Sequence, residues 1–103
     1  MYSGKEDRIT AEHLQNGETC IVTGYGQSMT PKLESGESVI MEPVTEETVL
    51  EKGDVVLAKV KGRYYCHLIS AIRNESYQIS NNHKHVNGWV SRKNIFGRMT
   101  SKA

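Results

Sequence analysis

The 103-residue chain carries 13 basic and 12 acidic residues, a formal net charge of +1, so no domain-wide field draws it to nucleic acid. Hydrophobic residues make up 37% and charged residues 24%, the balance of an ordinary globular chain and not of a disordered one. The length suits one domain over residues 1–103 with a modest core, and no apolar run approaches the roughly 18–20 residues of a membrane helix.

Taken in order, Met1 to Arg8 mixes charges, and no apolar stretch follows. It does not read as a signal peptide; residues 1–8 read as a loose N-terminal tail, and a cytoplasmic location with no membrane association is expected. Ile9 to Leu14 suits a short helical turn capped by Thr10, and Asn16-Gly17 is a turn signal. Thr19 to Tyr25 is the first predicted strand. Ser28 to Glu34 suits a helical turn ended by Ser35-Gly36. Ser38 to Met41 reads as a second strand, stopped by Pro43, and an acidic connector runs from Thr45 to Lys52.

The clearest local signal lies downstream. Asp54 to Val60 and Tyr64 to Ile72 are strand-like runs joined at Lys61-Gly62-Arg63, a hairpin. Lys59, Lys61 and Arg63 alternate with apolar residues, as on the wet face of a strand. Tyr77 to Ser80 is a further strand, Asn81 to His85 a polar loop, and Trp89-Val90 with Asn94 to Met99 close the domain, Trp89 as a cap on the core. Many short strands separated by turns predict a mostly β, small barrel-like domain. Cys20 and Cys66 each sit in an apolar run and are expected as free buried thiols, since nothing signals secretion.

Two residues stand out for chemistry. A serine attacks only when a base takes its proton and backbone donors await the oxyanion. Gly26-Gln27-Ser28-Met29-Thr30-Pro31 is a tight Gly/Pro turn that can present such donors around Ser28, from the neighbourhood of Gln27 and Met29. His67, mid-strand, has an intrinsic pKa suited to a general base. Read alone, Ser28 is also an ordinary turn serine and His67 an ordinary hydrogen-bonded strand histidine. His83 and His85 flank Lys84, but two histidines do not make a metal site, and no metal or other cofactor is expected.

Taken together, the boxes resemble a known superfamily. Gly26 to Leu33 is similar to the nucleophile segment of signal peptidases and of self-cleaving LexA-type repressors. Glu34 to Val39 resembles the turn before the second strand, and Lys52-Gly53-Asp54-Val55-Val56-Leu57 the Gly-Asp strand opening. Tyr65 to Ile69 falls where the general-base strand follows, and Trp89 to Arg98 resembles the closing segment that ends in Gly-Arg. The resemblance spans about residues 19–99. It implies the catalytic-domain fold of that superfamily, with Ser28 as nucleophile and His67 where bacterial members place lysine, as in the histidine-containing branch of archaea and the endoplasmic reticulum. That branch supports its histidine with a downstream aspartate. Here no aspartate follows Asp54; the matching stretch is Ile79-Ser80-Asn81-Asn82, and Asn81, Asn82 or Asn87 is left to orient the imidazole. Asp54 itself is expected in a structural, hydrogen-bonding role.

The implied function is a soluble serine peptidase-like domain acting on an extended peptide. The alternative is an inactive peptide- or protein-binding module of the same fold, including a phage or mobile-element regulator that works as a homodimer. No Ala-Gly or Cys-Gly pair precedes Ser28, so autoproteolysis is not expected.

Overall fold

β-branched and aromatic runs set the architecture. The computed structural model describes residues 1–103. It contains β1 (Tyr2–Ser3), α1 (Asp7–Gln15), β2 (Cys20–Thr23), β3 (Ser38–Pro43), β4 (Val55–Val60), β5 (Arg63–Arg73), β6 (Ser76–Ser80), β7 (Val86–Ser91), a single 3₁₀ turn (Arg92–Asn94) and β8 (Ile95–Lys102). All strands join one eight-stranded sheet in the order β1-β2-β3-β8-β4-β5-β6-β7. β1 and β2 are parallel, and every other pairing is antiparallel. No helix is long and apolar enough to cross a membrane.

The fold is mostly β, as the sequence implies. Its barrel-like character is that of a strongly curled open sheet. β1 and β7 are its free ends, yet β7 curls back over β4: a Cβ added at Gly88 would lie 2.9 Å from Val60 Cγ1.

β4 organises the interior. Its sequence Val-Val-Leu-Ala-Lys-Val is apolar on both faces, and both are covered. Val55 and Leu57 join Ala11, Leu14, Cys20, Val22, Met29, Leu33, Val39, Met41 and Phe96 in one core. Val56, Ala58 and Val60 join Leu50, Ile69, Ile79, Val90 and Ile95 in a second. One strand thus forms the shared wall of two cores, each fully buried side chain contributing about 1.5–3 kcal/mol.

The β4–β5 hairpin turns through Lys61 (φ 51) and Gly62 (φ 83), with Val60 opposite Arg63. Two consecutive positive φ values define the turn whose twist matches its strands, and glycine takes the second without strain. Arg63 is therefore a strand residue and not part of the loop.

Several expectations are corrected. The tail expected at residues 1–8 is built into the fold: Tyr2 and Ser3 pair with Cys20 and Ile21, the Tyr2 ring stacks on His13 at 3.7 Å, and Asp7 opens α1. Thr10 does not cap the helix. It lies one turn inside, buried, with its Oγ1 donating to the Glu6 carbonyl at 3.1 Å. β3 runs through Pro43, which sits opposite Gly97, and β7 begins at Val86, ahead of Trp89. Trp89 is 42% exposed instead of capping the core, with the Arg73 guanidinium 5.5 Å over its ring. Both cysteines are free; Cys20 is buried and Cys66 partly so.

Candidate functional site

The Ser28 loop connects β2 to β3 and is held from two sides. Beneath it, Met29 and Leu33 are buried in the first core, and the Leu33 N–H donates to the Met29 carbonyl at 2.9 Å. Apolar residues at this spacing pin one face of a turn and leave the other outside. Above it, the β6–β7 loop supplies a clamp. The Asn82 N–H donates to the Ser28 carbonyl at 2.8 Å, and Asn82 Nδ2 to the Thr30 carbonyl at 3.0 Å. His83 Nε2 meets the Gln27 carbonyl at 2.9 Å. Asn81 shapes that loop, its Oδ1 accepting from the His83 and His85 N–H groups at 2.8 and 2.9 Å. Three carbonyls of the loop are thus fixed outward, whereas the Ser28 and Met29 N–H groups donate to no backbone carbonyl.

His67 comes from β5, opposite Val56 of β4, with its ring 5.0 Å from that of Tyr65. The sheet brings it to the loop: Ser28 Oγ lies 3.2 Å from His67 Nε2. On the other side of the ring, His67 Nδ1 lies 2.7 Å from Asn87 Oδ1. An amide oxygen only accepts, so Nδ1 carries the proton and donates to Asn87. Nε2 is then the free lone pair, and the Ser28 hydroxyl donates to it. Burial pushes the His67 pKa below its ordinary value of 6.5; the Asn87 bond pulls it up, and nearby His85 pushes it further down. The imidazole is therefore neutral at pH 7.

Asn87 reaches His67 because of a bulge. Ile79 pairs with Gly88 and Ser80 with Val86, which leaves Asn87 as the extra residue of β7. A bulge re-aims a side chain, here across β6 towards β5. Of the three asparagines that the sequence left open, only Asn87 touches the imidazole. Asn81 and Asn82, the pair on the stretch matching the aspartate of the histidine branch, serve the loop beside Ser28 instead.

Ser28 and His67 open onto a cleft of about 250 Å³. Val22, Met29, Leu33 and Tyr64 supply its apolar surface, and Asp7 and Cys66 also line it. Burial, followed by the Asp7 carboxylate, pushes the Cys66 thiol up to about 12, so it stays protonated and is no competing nucleophile. Burial likewise raises the Asp7 pKa above its ordinary value. Asp7 falls within the expected tail, and an acidic residue ahead of a short helical pattern is the one sequence cue that points to it. Asp54 has the structural role expected of it: its Oδ2 accepts from the Glu51 N–H at 2.8 Å.

A search of curated proteins finds none that matches this chain. A family model does, over nearly the full length: the one described as Peptidase S24-like aligns with residues 2–100, from β1 to the body of β8. With the ordered sequence boxes and the curled sheet behind it, that match means that the chain belongs to the Peptidase S24-like family, within the superfamily of LexA-type repressors and signal peptidases.

Proposed function

We propose that this domain is a serine peptidase in which Ser28 is the nucleophile and His67 its general base. The observation that carries the reading is the continuous relay from Ser28 Oγ through His67 to Asn87, at 3.2 and 2.7 Å. In the proposed reaction Ser28 Oγ bonds to the peptide carbonyl carbon as its proton passes to His67 Nε2. The oxyanion is met by the N–H groups of Ser28 and Met29. Collapse breaks the C–N bond, and His67 returns the proton to the leaving amine. Water then repeats the sequence on the acyl-enzyme, with His67 again taking and returning one proton. Asn87 holds the imidazole in the productive tautomer but, being uncharged, stabilises the imidazolium less than a carboxylate does. A slow enzyme follows.

The peptide has a place to lie. β1 covers β2 only at Cys20 and Ile21, which leaves the outer edge of Val22 and Thr23 open beside the cleft. An extended chain added to that edge would pass Ser28 in the manner of strand-addition recognition.

The test is labelling with a fluorophosphonate, which captures an activated serine. The wild-type protein is expected to label and Ser28→Ala not at all. His67→Ala is expected to slow labelling by about 10²–10⁴-fold, the usual contribution of a positioned base. Equal labelling of all three proteins overturns the proposal.

A further inference from the structure

The cleft beside Ser28 contains one half-buried charge that the fold does not neutralise. Asp7, the first residue of α1, is half-buried in its wall. The ion pairs of the protein join the N-terminus, Arg8, His13 and Lys102 to Glu6, Glu12, Glu18 and Glu37, and none involves Asp7. No side-chain hydrogen bond engages it either, although the thiol of Cys66 is near enough to feel its charge. The remaining charged groups at the cleft, Lys5 and Glu34, are exposed at the rim and opposite in sign. A carboxylate partly stripped of water and left unpaired is costly, and a cation brought against it recovers that cost.

The rest of the cleft fits the body of such a cation. Val22, Met29 and Leu33 offer an apolar surface for a methylene stem, while Asp7 takes the charged head. At about 250 Å³ the space suits a single long side chain; pockets for drug-sized ligands begin at about 300 Å³. We propose that Asp7 is a specificity-determining residue that selects peptides presenting a lysine or arginine to the cleft next to Ser28. This inference rests on the peptidase reading for its meaning, but it can be tested by binding alone. Asp7 also suits the first turn of a helix on electrostatic grounds, and a purely structural role would leave peptide preference untouched.

The experiment uses the full chain with Ser28→Ala, which binds without turnover. Acetyl-Ala-Ala-Lys-amide and its norleucine counterpart are titrated by heteronuclear NMR. The lysine peptide is expected to bind about tenfold more tightly, equivalent to about 1.4 kcal/mol. In Ser28→Ala/Asp7→Asn the ratio is expected to fall to about one. If the amide variant does not fold, Asp7→Ser, a residue well tolerated at helix starts, replaces it. Equal affinity for the two peptides, no measurable binding of the lysine peptide, or a lysine preference that survives loss of the carboxylate each overturns the inference. Lysine preference without fluorophosphonate labelling of the wild-type protein sinks the peptidase reading and leaves Asp7 as a binding determinant. Labelling without the preference does the reverse.

Discussion

Replacing Asn87 with aspartate changes one atom of the relay and restores a charge to it. The two side chains have the same shape, so the bulge that aims residue 87 at His67 is retained. The perturbation is electrostatic. Asn87 Oδ1 lies 2.7 Å from His67 Nδ1, which puts a new carboxylate charge on the order of 4 Å from the centre of an imidazolium. At that separation and an effective dielectric of about 20, the attraction is about 4 kcal/mol. Opposite charges this close shift a pKa by about 1–3 units, and the smallest of these is worth about 1.4 kcal/mol. The wild-type His67 pKa lies below 6.5 because of burial. In Asn87→Asp it is expected to rise by at least about one unit. Imidazole resonances followed against pH measure this directly, without any need for turnover. In the proposed reaction the same stabilisation acts on the imidazolium that forms as Ser28 attacks, so fluorophosphonate labelling at pH 8 is expected to quicken about tenfold or more. Asn87→Ala should lose the tautomer and label more slowly than wild type. A His67 titration that does not move in Asn87→Asp would refute the relay, because no carboxylate could then be in contact with the ring.

Two further outcomes follow from the same structure. His67 titrates lower in the folded protein than in the unfolded chain, so between 6.5 and its folded value the unfolded state binds more protons and stability rises with pH. Stability should therefore be lost as pH falls from 6.5 through the folded pKa, and above 6.5 His67 should contribute nothing. Urea midpoints of wild type and His67→Gln at pH 7.5 and 5 measure it; the variant should lose less on acidification, and identical losses would count against the burial argument. Gly88 has φ 151 and approaches Val60 closely enough that a Cβ would lie 2.9 Å from Cγ1. Gly88→Ala should cost about 1–3 kcal/mol, seen as a lower urea midpoint at unchanged slope; an unshifted midpoint would mean that β7 does not rest on β4.

Much of this was legible in the sequence, and the failures have physical causes. The β4–β5 hairpin announced itself because Lys61-Gly62 separates two runs of strand-forming residues. Ser28 and His67 are singled out by the order of their surrounding boxes, not by their own chemistry, since neither residue type in isolation discriminates a site from a turn or a strand. Asn87 could only be one of three candidates. Its selection depends on a bulge between Ile79 and Ser80, a register feature invisible to period-2 patterning. β1 was missed because its two residues carry no period at all; their order comes from pairing with β2 and from Tyr2 stacking on His13. Asp7 lies in the expected tail for the same reason, and with it the only half-buried unpaired charge of the cleft. Thr10 looked like a cap because its side chain does bond to the backbone, though from inside the helix.

β4, with both faces covered, bears on how the molecule meets a ligand. The two bodies of apolar packing lean on one strand, so separating them would strip β4 of the contacts on one of its faces. The alcohol descends from one of these bodies and the imidazole sits beside the other, so their separation is set by masonry and not by a closing motion. On the proposed peptidase reading, recognition works as a preformed mould: little of a peptide's binding energy is diverted into rearranging the host.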